Sequence, residues 1–160
     1  MGNTLTSCNG LTLESHSIIV PVNYFACCCA EELLKGSYRG RLLDMLREAV
    51  ERAGFGVIGE SAHPFGNTTA ERNTHGSTLN LILEDSGISY DCYPEIGTVQ
   101  SNLHYCNIKN INDHKVLGCI MATKKVLKPK ITIRYPNTMM PLVFSEAHRT
   151  KALANGAEEM

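Results

Sequence analysis

Apolar and polar positions along this chain fall into short alternating runs, interrupted twice by longer helical stripes. Thr78 to Glu84 alternates cleanly, with Leu79, Leu81 and Leu83 on one side and Asn80 and Glu84 on the other. That period of two predicts a strand with one buried face. Residues 16–26 are rich in Ile, Val, Tyr and Phe and predict a first strand, with Pro21 marking an edge or a bulge. Residues 55–62, 86–93, 98–106 and 130–135 predict four more strands. Between Ser37 and Ala53 the period changes. Leu42, Leu46, Ala49, Val50 and Ala53 share one helical face, with Ser37 as N-cap and Gly54 just past the end. Asp113 to Val126 predicts a second helix. Val116, Leu117, Ile120 and Met121 point inward there, and Lys124 and Lys125 sit near the C-terminal end, where the helix dipole favours cations.

The remaining stretches predict less structure. Residues 1–15 read as an irregular lead-in, 66–77 as a polar surface loop, and 140–160 as a weakly ordered end. The order β-α-β-β-β-β-α-β predicts an α+β fold in a single domain over 1–160. It is a two-layer sandwich: one mostly antiparallel sheet with two helices on one face.

Composition narrows the chemistry. A net charge of −1 over 160 residues gives no basic surface for nucleic acid. No apolar run reaches the length of a membrane span. The start Met1-Gly2-Asn3-Thr4-Leu5-Thr6 fits the loose acylation pattern at Gly2, with Cys8 nearby, but that pattern is short and an ordinary frayed terminus accounts for it better. Seven cysteines are an odd number, and Cys27, Cys28 and Cys29 are consecutive, which suits a reduced, cytoplasmic chain better than a disulfide framework. Their spacing is not that of a zinc site, so no metal is expected.

The candidate chemistry lies in Asp85-Ser86-Gly87-Ile88-Ser89-Tyr90-Asp91-Cys92-Tyr93-Pro94-Glu95, with Cys106 downstream. Taken alone, Asp-Ser-Gly is a common turn. The acidic residue before a serine, the short strand, the aromatic-Pro-Glu corner and the later cysteine together resemble the pyruvoyl-dependent S-adenosylmethionine decarboxylase proenzymes of bacterial type. His16, Ala53-Gly54, His63-Pro64-Phe65 and Cys106-Asn107 extend the resemblance over residues 16–135.

The resemblance implies self-cleavage between Asp85 and Ser86. Ser86 is the precursor of a pyruvoyl group whose ketone holds the substrate's amino group as a Schiff base. Cys106 falls on the proton donor, and Thr78 on a hydroxyl residue that assists processing. Phe65, Tyr93 and Glu95 fall on substrate-binding positions, with Phe65 against the adenine and Glu95 on the ribose. The implied substrate is S-adenosylmethionine, the implied product the aminopropyl donor for spermidine, and the implied assembly at least a homodimer with sites at its interface.

The chain departs from that pattern at several points. Asp91 stands where the family has a processing histidine, and a carboxylate serves there near neutral pH only if its surroundings, such as Asp85, raise its pKa. Gly87 replaces a histidine, which would relax the backbone at a strained junction. The 66–77 loop is longer and brings Glu71, Arg72 and His75 near the expected pocket. His104 lies on the strand that leads to Cys106, where it could replace the missing imidazole or be an ordinary strand residue. Two other functions fit these departures: a pyruvoyl decarboxylase of a different amino acid, and an unprocessed regulatory paralogue.

Overall fold

The computed structural model describes residues 3–6, 12–27, 30–108, 113–136, 141 and 143–160. Gly2, Cys8, Cys28 and Cys29 lie outside them. The chain runs through β1 (Asn3–Thr6), β2 (Thr12–Cys27), α1 (Ala30–Leu33), α2 (Arg39–Arg52), β3 (Val57–Pro64) and α3 (Thr69–Thr74). It continues through β4 (Ser77–Leu83), β5 (Ser86–Tyr93), β6 (Thr98–Ile108), α4 (Asp113–Leu127), β7 (Pro129–Arg134), α5 (Glu146–Ala154) and β8 (Glu158–Glu159). The strands form one sheet in the order β3-β4-β5-β6-β2-β7-β8, with β1 added to β2. All described pairings are antiparallel.

Helices α2 and α4 cover one face, as the sequence predicts. Leu42, Leu43, Leu46, Ala49 and Val50 of α2 are buried against Leu79, Leu81, Leu83, Ile88, Tyr90 and Leu103 of the sheet. Full burial of a leucine such as Leu46 stabilises the fold by about 1.5–3 kcal/mol. Gly54 ends α2 at φ 96°, a left-handed conformation that a glycine adopts without steric cost. The N-terminal end differs from the sequence reading. A short 3-10 turn over Gly36–Tyr38 leads into α2, and Tyr38 rather than Ser37 holds the cap position.

The inward stripe of α4 also differs. Val116, Cys119, Ile120, Thr123 and Leu127 are buried, whereas Leu117 and Met121 are exposed. The smaller Cys119 and Thr123 take the seam because α4 lies over Tyr24 and Tyr90, whose bulk fills the interface. The Tyr90 hydroxyl and Thr123 Oγ1 share a hydrogen bond of 3.2 Å.

Three segments carry more regular structure than expected. β1 pairs with β2 inside the lead-in. The 66–77 loop contains α3, started by a capping box: Thr68 Oγ1 accepts from Glu71 N, and the Glu71 carboxylate accepts from Thr68 N. The C-terminal end, expected to be weakly ordered, forms α5 and β8. Ser145 caps α5, and Arg149 grips Glu159 through Nε (2.6 Å) and a second nitrogen (2.9 Å).

This end covers part of the sheet's second face. Phe25, Ile133, Tyr135 and Ala157 form a separate buried cluster with Phe144 and Ala152 packed on it. The Phe25 and Phe144 rings lie 5.4 Å apart. Asn23 Nδ2 donates to the Pro141 carbonyl at 2.8 Å. The covered half spans β2 and β7. Gln100 of β6 also donates to the Pro141 carbonyl at 3.4 Å; beyond that contact, the half over β3 to β6 is open among the described residues.

Candidate active site

Strand alternation decides which side chains share the open half-face. The register pairs His63 with Thr78, Thr78 with Asp91 and Asp91 with Gln100. It also pairs Asn80 with Ser89, Ser89 with Asn102 and Gly87 with His104. All of these lie opposite the helices, so the face mixes polar side chains with the exposed Ile19 and Ile82, where the other is apolar. Thr78 and Asp91, both singled out in the sequence, meet directly: Thr78 Oγ1 donates to Asp91 Oδ1 at 2.5 Å.

The Ser86 end comes first. The turn Glu84-Asp85 joins β4 to β5, and Ser86 Oγ donates to Asp85 Oδ1 at 3.0 Å. Ser86 pairs with Tyr105, so Cys106 lies one register step away. Alternation sends the Ser86 side chain to the Tyr105 face and that of Cys106 to the open face. A cleft of about 510 Å³ opens here, lined by Ile19, Ser86, Gly87, Ser89, Asn102 and His104 among others. Cys106 is exposed, while Cys92 and Cys119 are buried. Burial pushes the Cys119 thiol up to about 11, and burial, with Asp91 and Cys27 adding, pushes Cys92 higher still. Such thiols stay protonated, which leaves Cys106 as the better-placed of the three for proton chemistry.

The strained junction expected from the sequence is not visible. Among the described residues, the non-glycine positive φ angles belong to Ala26 and Lys128. Gly87 is a regular strand residue, and a Cβ there would meet nothing closer than the Leu81 carbonyl at 3.8 Å. Its effect is to leave space above β5 rather than to permit a turn.

The far end of β5 carries a second cleft, of about 490 Å³. Tyr93, Pro94 and Glu95 come from the corner after β5, and Gly97 closes that corner at φ 58°. Phe65 follows β3, and its ring lies 6.0 Å from that of Tyr93, tilted by 40°. The structure therefore gathers Phe65, Tyr93 and Glu95, the three substrate-binding candidates, around one opening. Burial first, then the charges of Asp91, Glu95 and Cys92, pushes the Tyr93 phenol up, so it remains a neutral hydrogen-bonding group.

The 66–77 segment closes the rim of this second cleft. Phe65 N donates to the Gly76 carbonyl at 2.8 Å, and Gly36 N to the His75 carbonyl at 2.6 Å. Of the loop residues expected near the pocket, His75 lines it. Glu71 and Arg72 do not: Glu71 caps α3, and Arg72 Nε donates to the Gly66 carbonyl at 3.3 Å. Glu31 and Lys35 also line the cleft, and Lys35 pairs with Glu32 at 2.8 Å. No motif marks Glu31 or Lys35; only the fold of the α1 region brings them there. Gly76 is sterically required, because a Cβ would fall 1.7 Å from the Cys92 carbonyl oxygen. Gly76→Ala is therefore expected to cost about 2 kcal/mol by forcing the loop off β5, lowering Tm by roughly 4–8 °C. An unchanged Tm in thermal denaturation would show that the loop can dock without this contact.

The two clefts are well separated. Asp91 is five residues from Ser86 along β5, about 17 Å at the rise of an extended strand, and Tyr93 about 23 Å. Asp85 is therefore no neighbour of Asp91 within one chain, contrary to the sequence expectation. Among the described residues, no group of three or more His, Cys, Asp or Glu side chains is placed to hold a metal ion. No described helix is long and apolar enough to cross a membrane.

No family model matches the chain, and no curated protein matches its sequence. Among solved structures, it is similar to the crystal structure of the adenosylmethionine decarboxylase from Aquifex aeolicus VF5. The TM-score is 0.57 at 16% identity, over 81% of this chain and 97% of that one. The likeness is one of fold: an α+β sandwich with an antiparallel sheet.

Proposed function

We propose that this protein is a self-cleaving, pyruvoyl-dependent decarboxylase of S-adenosylmethionine that acts as a homodimer. The observation that carries this reading is the placement of the expected residues at the two ends of the β5–β6 pair. Ser86 and the strand of Cys106 lie at one end, and Phe65, Tyr93 and Glu95 share a cleft at the other. The shared fold with an adenosylmethionine decarboxylase supports it.

One chain cannot bring these ends together, since about 23 Å of rigid strand separates them. Two chains can. If two open half-faces stack antiparallel about a two-fold axis, the Ser86 end of each meets the Phe65–Tyr93 end of the other. The site is then built twice, from residues of both protomers. Thr78 and Asp91 lie toward the Tyr93 end and approach the partner's Ser86 in the same way.

The residues at the junction suit a pyruvoyl group. The Ser86 hydroxyl donates to the carboxylate of the residue before it, Asp85, and Gly87 leaves the space above it open. Once formed, that group supplies a ketone that binds the substrate's amino group and accepts electrons as carbon dioxide leaves. Cleavage would make residue 86 a chain end, free to turn from the Tyr105 face toward Cys106. The exposed Cys106 thiol would then return a proton to the product carbon. The Phe65–Tyr93 pair presents aromatic faces to the adenine, and the Glu95 carboxylate accepts hydrogen bonds from the ribose hydroxyls. The product would serve as an aminopropyl donor.

Intact-mass spectrometry tests the reading. The expected result is two pieces, residues 1–85 and 86–160, the second with a carbonyl at its start that hydrazines modify. A second reading, an unprocessed partner of an active paralogue, is favoured by Asp91 in place of the usual histidine. It predicts a single uncut chain in the same measurement.

A further inference from the structure

We infer that His104 is the proton carrier that serves the Ser86 junction from within the same chain, an inference that rests on the self-cleavage reading above. Three observations place it there. The register sets His104 directly across from Gly87, the residue after Ser86. Both Ser86 and His104 line the same cleft. The position between them is empty of side chain, because Gly87 has none and a Cβ there would meet only the Leu81 carbonyl at 3.8 Å. On the other flank His104 faces Ile19, across from β2.

The alternative carrier on β5 is poorly placed for this task within its own chain. Asp91 lies about 17 Å along the strand. Its Oδ1 already accepts the Thr78 hydroxyl. An imidazole has two nitrogens through which it both takes and gives protons.

The chemistry needs both actions. First the Ser86 hydroxyl oxygen bonds to the Asp85 carbonyl carbon, and the C–N bond to residue 86 breaks. The hydroxyl proton ends on the freed amine, which leaves an ester. Next the Cα proton of residue 86 is removed. Its electron pair forms the Cα–Cβ double bond, and the Asp85 carboxylate departs with the electrons of the Cβ–O bond. The resulting enamine shifts a proton to become an imine, adds water and releases ammonia, leaving the ketone. His104 suits the elimination by position. The Ser86 Cα lies beside Gly87, across from His104, and residue 86 and the ring share one cleft at this end of β5. The same ring can shuttle the hydroxyl proton to the amine in the first step.

The test is a time course of cleavage by intact mass on the freshly made full chain: wild type, His104→Ala, and His104→Ala with added imidazole. His104 is exposed, so the alanine variant is expected to keep the wild-type melting transition. Cleavage should slow by at least about tenfold, and imidazole should speed the variant without changing the wild type. If the alanine variant loses its melting transition, His104→Gln is read by the same two criteria. Cleavage at the wild-type rate overturns the inference, and so does slow cleavage that imidazole fails to speed. In both cases the wild type still cuts itself, and the decarboxylase reading stands. A wild-type chain that never cuts removes that reading and this one together.

Discussion

Ser86→Ala is expected to abolish cleavage completely and catalysis with it, because alanine offers no oxygen to attack the Asp85 carbonyl. The loss should be all-or-none, since the proposed N-to-O shift needs a hydroxyl on residue 86 itself. Cys106→Ala should behave differently. Its thiol is assigned to a step after the ketone exists, so the chain should still cut, while turnover falls by about 10²-fold or more, the usual scale for a lost general acid. Cys92→Ala provides the contrast. Cys92 is fully buried on the helix face, so the expected cost is stability rather than chemistry. Intact mass and carbon dioxide release, measured on the same preparations, separate the three outcomes. A Ser86→Ala chain cut at the same bond would remove the assignment of Ser86. A Cys106→Ala enzyme with full turnover would reduce that cysteine to a surface residue.

What was legible in the sequence divides along physical lines. β4 announced itself because Leu79, Leu81 and Leu83 alternate against a polar partner face, and all three are buried. α2 did so through its stripe, and Gly54 through the left-handed turn it closes. The inner face of α4 is not legible from hydrophobicity, because Leu117 and Met121 lie exposed while the smaller Cys119 and Thr123 are buried. Volume over Tyr24 and Tyr90, not hydrophobicity, chose the seam. α3 was visible in principle, since Thr68-x-x-Glu71 is a capping box, but the polar composition of its surroundings hid it. α5 has no strong stripe, with Ala152 the residue that packs on the second-face cluster, so periodicity could not reveal it.

The candidate residues show the same limit. Order along the chain aligned Ser86, Asp91, Glu95 and Cys106, but order carries no distance. Only the register shows that Thr78 and Asp91 touch while Asp91 and Ser86 lie at different ends of one strand. Glu31 and Lys35 entered the cleft through tertiary packing of α1, for which the sequence holds no local signal.

Mixing two inactive variants is expected to restore activity. The first is Ser86→Ala, which loses the nucleophile but keeps the Phe65–Tyr93–Glu95 cleft. The second combines Phe65→Ala with Glu95→Gln, which keeps Ser86 but loses adenine stacking and the ribose acceptor. Each homodimer should be nearly inactive. A dimer of one chain of each kind contains one site with both defects and one with neither, since the intact Ser86 of one chain meets the intact cleft of the other. Coexpressed chains with different tags, purified as the mixed dimer, should therefore recover close to half of wild-type turnover per dimer. The recovery follows from the separation of about 23 Å between Ser86 and Tyr93 on one rigid strand. If each site were built within one chain, both sites of the mixed dimer would carry a defect, and turnover would stay at the level of the homodimers. Sedimentation of the same samples shows whether dimers formed. A mixed dimer that forms but remains inactive would place the whole site within one chain, and the β5 geometry would then require Ser86 and the Tyr93 cleft to serve different ligands.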